Sequence, residues 1–69
     1  MIENKIELMV EVRDLANYMA LKNYGEISYV DEMMDIIFLH TVASKIKYIE
    51  ELPFVNQTQV SRELRLQTI

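Results

Sequence analysis

The sequence predicts an all-α protein, in which an antiparallel helical hairpin and a short C-terminal helix pair with a second copy into a four-helix-bundle-like homodimer. Three observations lead to this prediction. The 69 residues include one glycine and one proline, so breaker residues divide the chain into three segments. Apolar residues in the first segment recur at helical spacing. Hydrophobic residues make up 51% of a chain that is too short to bury all of them alone.

The first predicted helix covers residues 3–22. Its apolar positions follow the 4-3-4 spacing of a packed helical stripe, through Leu8, Val12, Leu15 and Met19. Asn-Tyr-Gly at positions 23–25 is a typical helix stop, because glycine follows the last apolar position of the stripe.

The second predicted helix covers residues 28–52. Ser28 has the side chain of an N-cap residue, and Asp31 stands three positions later, where an acid completes a capping box. Residues 36–39 are apolar on every side of such a helix, so they need cover from more than one direction. A single hairpin does not provide that cover, whereas a dimer of two hairpins does.

The third predicted helix covers residues 56–67 and would cap the bundle. Residues 57–67 also resemble the first helix and turn of a helix-turn-helix, with matching residues at Val60, Ser61, Leu64 and Leu66. Arg65 stands where that turn usually has glycine, and no recognition helix follows it in the sequence. DNA binding is therefore a third-ranked interpretation, behind a plain capping helix.

Composition narrows the possible functions. The net charge of −4 argues against generic nucleic-acid binding, because acids repel phosphate backbones. The chain has no cysteine, which rules out disulfides and thiolate-bound zinc and fits a cytoplasmic protein. No uncharged run approaches the roughly 20 residues of a membrane-spanning helix, and the N-terminal residues lack the pattern of a secretory signal. We expect one cytoplasmic domain over residues 1–69.

Four carboxylates are the candidate chemical site. Glu11 and Asp14 are spaced i, i+3, as are Glu32 and Asp35, so each pair shares one face of its predicted helix. In an antiparallel hairpin that turns at Gly25, Asp14 and Asp35 lie eleven and ten residues from the turn, at nearly the same height. Four clustered carboxylates need a compensating cation, and Mg²⁺ prefers oxygen ligands. The sequence thus predicts a magnesium site between the two helices.

The same residues resemble a known family. "VEVRDLAN" (residues 10–17) and "VDEMMDIIFLHTVASKI" (residues 30–46) are similar to the two metal-binding helices of the all-α nucleoside triphosphate pyrophosphohydrolases, the MazG-like and dimeric dUTPase-like superfamily. The resemblance implies an enzyme, minimal or degenerate, that uses Mg²⁺ or Mn²⁺ to hydrolyse a (d)NTP to (d)NMP and pyrophosphate. The implied metal ligands are Glu11, Asp14, Glu32 and Asp35, of which Glu32 and Asp35 would also be catalytic. The implied substrate-binding residues are Lys22 and Tyr24.

A second interpretation is a non-catalytic helical adaptor or regulator that binds another protein. Its contact surface would be rich in methionine and isoleucine, since methionine suits adaptable contacts. His40 is interpreted as a hydrogen-bonded core or interface residue, because no serine or cysteine nucleophile is placed to partner it. Lys45 is interpreted as a solvated charge that could reach a phosphate.

Overall fold

A computed structural model describes residues 4–64 and shows a four-stranded antiparallel sheet, so the predicted all-α fold is wrong. The strands are β1 (Lys5–Val12), β2 (Glu26–Asp31), β3 (Ile36–Val42) and β4 (Val55–Leu64). The helical structure of this part of the chain comprises the 3₁₀ segments Leu15–Asn23 and Ala43–Lys45 and helix α1 (Ile46–Glu50). No helix within these residues is long and apolar enough to cross a membrane.

The strands lie in the order β2-β3-β1-β4. The connection from β1 to β2 passes over β3, and the connection from β3 to β4 passes over β1. This split βαβ arrangement is the ferredoxin-like topology, here with short helical segments in both crossovers. Long-range pairing between β1 and its two neighbours therefore organises the sheet.

Alternating residues of β1 explain why it is a strand. Ile6, Leu8, Val10 and Val12 are buried, while the residues between them are half-buried. Burial at every second residue is the pattern of a strand. Leu8 and Val12 belong both to this pattern and to the 4-3-4 helical stripe, so these two positions do not distinguish a strand from a helix. The predicted helix over residues 3–22 is wrong for this reason, although residues 15–23 do form a 3₁₀ segment.

A hairpin without glycine or proline divides the predicted helix over residues 28–52. The Asp31 carboxylate accepts hydrogen bonds from the backbone N–H groups of Met33 and Met34 at 3.1 and 3.2 Å, forming an Asx-type turn. Asp35 then adopts a positive φ of 56°, a conformation that aspartate tolerates better than most residues. Ser28, predicted to be an N-cap, lies inside β2, so that prediction and the capping box are wrong.

The third predicted helix, over residues 56–67, is also wrong where the structure describes it, because residues 55–64 form edge strand β4. Two register shifts, between Glu7 and Leu8 and between Glu11 and Val12, interrupt its pairing with β1. The helix-turn-helix resemblance requires a helix in a segment that forms strand β4 up to Leu64. Residues 65–67 of the predicted helix lie outside the described part of the chain.

The core lies between one face of the sheet and the helical segments. Leu21 from the first 3₁₀ segment and Ile49 from α1 are fully buried against it. The other buried apolar residues come from strands β1, β3 and β4: Ile6, Leu8, Val10, Val12, Ile37, Leu39 and Val55. The first 3₁₀ segment and α1 both pack on this face, and no helical segment within residues 4–64 covers the opposite face of the sheet. The predicted four-helix-bundle architecture is therefore wrong, whereas self-association of the chain stays a prediction.

Candidate functional site

The uncovered side of the sheet, which we call the open face, is the candidate functional site. Strand pairing places its side chains in rows that run across all four strands. The central row contains Tyr29, Phe38, Met9 and Gln59. A charged row on one side contains Glu26, His40, Glu7 and Arg62, and a third row on the other side contains Asp31, Ile36, Glu11 and Gln57.

The central row is apolar over three of its four strands. The rings of Tyr29 and Phe38 contact each other with centroids 6.0 Å apart and planes tilted by 52°. This separation is within the range of favourable aromatic pairs. Tyr29 is 61% exposed, and Phe38 and Met9 are half-buried beside it. The middle of the open face is therefore a solvent-accessible apolar strip.

A network of contacts centred on the Glu7 carboxylate crosses the charged row. Oε2 of Glu7 lies 3.3 Å from Nε2 of His40, and Oε1 of Glu7 lies 3.4 Å from Nε of Arg62. A carboxylate can only accept, so the hydrogen bond requires that Nε2 of His40 carries its proton. The Glu7 side chain is 13% exposed, so the two neighbours shield it from solvent on an otherwise open surface.

The environment of Glu7 changes its acidity. Partial desolvation is the largest single influence and by itself would raise the pKa of Glu7. The hydrogen bond with His40, the charge of Arg62 and a hydrogen bond with Ser61 act in the opposite direction. Their sum holds the pKa of Glu7 below its ordinary value of 4.5, so the carboxylate is ionised at neutral pH.

The third row is partly closed by hydrogen bonds within the chain. Nε2 of Gln57 donates to Oε1 of Glu11 at 2.8 Å, linking β4 to β1. The Asp31 carboxylate is occupied by the backbone of its own turn. Ile36 lies between these two acids, so this row extends the apolar surface of β3 toward the hairpin.

The four predicted metal ligands do not form one cluster. Glu11 is on the open face, whereas Asp14 caps the first 3₁₀ segment by accepting from the Ala16 N–H at 2.9 Å. Glu32 and Asp35 are exposed in the β2–β3 loop. That loop lies near the end of β1, because the Val12 N–H donates to the carbonyl of Asp35 at 2.9 Å. Even so, no three histidine, aspartate or glutamate side chains among residues 4–64 are grouped so as to hold a metal ion.

The predicted substrate-binding residues lie away from those acids. Lys22 is exposed near the end of the first 3₁₀ segment. Tyr24 is half-buried, and its carbonyl accepts a hydrogen bond of 2.6 Å from the buried hydroxyl of Thr41. These two residues are at the end of the sheet where β2 begins, whereas the β2–β3 loop is at the opposite end.

Comparisons with protein-family models, curated proteins and solved structures found no match to this chain. The resemblance to the nucleotide pyrophosphohydrolases therefore depends on the quoted residues alone. Magnesium binding and nucleotide hydrolysis stay predictions from that resemblance, and the paired helices that it implies are replaced by a sheet.

Sequence reasoning missed the open face, including its central row. A signal was present in "KIELMVEV", where every second residue from Ile6 to Val12 is apolar and the residues between them, apart from Met9, are charged. A second signal was "IIFLHTV", whose β-branched and aromatic residues favour a strand that is apolar on both faces. The apolar residues at the start of this second run equally fit a helix that is covered from more than one side.

Proposed function

We propose that this chain is a non-catalytic protein-binding module that docks a partner on its open face. The observation that supports this proposal is the two-sided apolar character of β3. Its core side carries Ile37 and Leu39, while Ile36 and Phe38 face outward beside Met9. In a sheet with one face in solvent, the outward-facing residues of each strand are normally polar. Apolar outward-facing residues on the central strand β3 therefore suggest a binding surface.

Charge indicates the kind of partner. Besides His40, the open face carries four acids, Glu7, Glu11, Glu26 and Asp31, against the two cations Lys5 and Arg62. The acids lie on both sides of the apolar strip. The complementary partner is a protein surface with an apolar ridge flanked by lysine or arginine. A second copy of this chain is a poorer fit, because stacking two such faces opposes like charges.

The same charges disfavour nucleic acid. A sheet face with aromatic side chains can stack unpaired bases, as in RNA-binding modules of related topology. Phosphate backbones also require cations, and here most of the ionised residues around the aromatic pair are acids. Electrostatic repulsion would therefore offset the gain from stacking.

The size of the surface predicts a weak, transient complex. Four strands about 4.8 Å apart, with three rows about 7 Å apart, cover roughly 300–400 Å². A standard stable interface buries about 800 Å² per partner. Binding of moderate affinity that is sensitive to salt is the expected behaviour.

The experiment uses two tyrosines of similar exposure. Tyr29 is 61% exposed on the open face, and Tyr48 is 55% exposed on helix α1 in the opposite layer. Native, Tyr29→Ser and Tyr48→Ser chains are used to capture proteins from the source cell, and each captured protein is then purified and titrated against all three chains. We expect a partner with a basic surface whose affinity falls at least tenfold for Tyr29→Ser and changes less than twofold for Tyr48→Ser.

Three results would overturn the proposal. The first is that every captured protein binds the two variants equally. The second is that sedimentation shows a native dimer that Tyr29→Ser dissociates, which would assign the face to self-association. The third is that duplex or single-stranded nucleic acid competes for the face.

A further inference from the structure

A hollow lies at the end of the sheet where β2 begins and β3 ends, and it shares Lys5, Glu26 and His40 with the edge of the open face. Its volume is about 230 Å³, enough for a small molecule but less than a typical drug-binding pocket. The residues that line it are Lys5, Tyr24, Gly25, Glu26, His40, Thr41, Val42 and Lys45. They come from three strands and both helical connections, so the hollow exists only in the folded chain.

Two lysines give this hollow a charge opposite to that of the protein as a whole. The chain has a net charge of −4, yet Lys5 and Lys45 line one hollow with a single carboxylate, Glu26. Among residues 4–64 the ion pairs involve Glu7 with His40 and with Arg62, so neither lysine has a carboxylate within 4.0 Å there. Two ammonium groups at one concave site favour an anion with more than one charge.

The backbone at Gly25 keeps the hollow in place. A Cβ atom at this position would collide with the carbonyl oxygen of His40 and lie 3.1 Å from Cβ of Thr41. The absence of a side chain lets the chain pass close to the end of β3, where the Thr41 hydroxyl donates to the Tyr24 carbonyl. These backbone and hydroxyl contacts fix the inner wall of the hollow, between the start of β2 and the end of β3.

We propose that this hollow binds the phosphate group of a small, hydroxyl-bearing phosphate monoester. Lys5 and Lys45 contact the phosphate as point charges, the usual role of lysine toward phosphate. Glu26 accepts a hydrogen bond from a ligand hydroxyl, and Val42 provides an apolar wall. The carboxylate of Glu26 also selects against larger polyanions, because a second phosphate group at its position would be repelled.

The single glycine of the chain provides the measurement. Glycine amides occupy a distinct region of the ¹H–¹⁵N NMR spectrum, so the Gly25 signal reports on the hollow without ambiguity. The native chain is titrated with glycerol phosphate, with inorganic phosphate, and with sodium chloride at matched ionic strength. We expect a saturable shift of the Gly25 signal with glycerol phosphate, a weaker one with inorganic phosphate, and none with chloride.

Matched lysine variants test the assignment. Lys45→Gln removes a cation from the hollow, while Lys47→Gln removes the same charge two residues later, outside it. Lys45→Gln should weaken glycerol phosphate binding about tenfold, the loss expected for one charged hydrogen bond, and Lys47→Gln should change it less than twofold. Equal effects of the two variants, an equal shift with chloride, or no saturable shift would overturn the proposal. Tyr29→Ser should leave phosphate binding unchanged, so this test is independent of the protein-binding proposal.

Discussion

The two faces of the sheet use the same strands for different purposes. On the core face of β1, Leu8 and Val10 are fully buried beneath the helical segments. On the open face of the same strand, Met9 is half-buried and Glu7 contacts His40 and Arg62. Successive side chains of a strand point to opposite faces, so one eight-residue segment provides both core and surface. The comparison separates residues that stabilise the fold from residues that are available for binding.

The largest expected difference between the faces is at two adjacent residues. Leu8→Ala removes a fully buried side chain, so we expect the free energy of unfolding to fall by about 3 kcal/mol, leaving a domain of this size largely unfolded. Met9→Ala on the open face should cost about 1 kcal/mol or less. Urea unfolding followed by circular dichroism measures both values. Equal losses at the two positions would mean that the open face is covered in solution.

A smaller effect is expected where β2 and β3 approach each other. Gly25→Ala places a Cβ against the backbone of His40, and relief requires the two strands to separate locally. We expect a loss of about 2 kcal/mol in unfolding free energy. Ser28→Ala, at an exposed position of the following strand β2, should change it by less than about 0.5 kcal/mol. A fully stable Gly25→Ala chain would contradict the close packing of these strands.

The charged row of the open face should make stability depend on pH. Because the pKa of Glu7 is lower in the folded chain than its ordinary value of 4.5, its ionised form stabilises the fold. That contribution is present above pH 4.5 and is lost as the pH falls through the lowered pKa. Glu7→Gln should therefore show a smaller loss of stability on acidification than the native chain, measured by melting temperature between neutral and acidic pH.

A matched control for Glu7 is available on the same strand and face. Glu11→Gln removes the same charge but leaves the contacts of Glu7 with His40 and Arg62 intact. Its acid sensitivity should remain close to that of the native chain. If both variants flatten the pH dependence to the same degree, the network around Glu7 is not its cause.

The smallest expected effect is at the hairpin that joins β2 to β3. Asp35 has a φ of 56°, a conformation that glycine adopts without steric cost. We expect Asp35→Gly to raise the unfolding free energy by about 0.5 kcal/mol and Asp35→Val to lower it by more than about 1 kcal/mol. Thermal unfolding of the two variants measures the difference. The opposite order would show that the loop adopts another turn in solution.

Part of the fold could be read from local sequence. Gly25 and Pro53 predict boundaries between segments, and each lies between two elements of the structure. The type of each segment was misjudged, because several apolar positions of β1 and the following segment fit a helical stripe as well as a strand. The β2–β3 turn was missed because it uses Asp31 and Asp35 in place of glycine or proline.

The candidate site was harder to predict than the boundaries. Acids in the second predicted helix were grouped with acids of the first because a hairpin of helices would bring them together. In the observed fold, Glu32 is exposed in a loop and Asp14 caps a 3₁₀ segment, so i, i+3 spacing does not bring the two together. His40 is the exception: its hydrogen bond with Glu7 fits the interpretation of a partnered histidine.

Three properties follow from the amino-acid sequence alone: the acidity of the chain, the period-two pattern of apolar residues in β1, and a run at residues 36–39 that is apolar on more than one side. Which side of β3 is covered depends on the fold. Both alternate sets of β3 are apolar, so a one-residue change of register would exchange Phe38 with its buried neighbours. Backbone pairing with residues of β1 that are 25 or more positions away in the chain selects the register. The long-range hydrogen bonds between strands and the packing of Leu21 and Ile49 thus determine which face of the sheet becomes the core. The other face is the open face.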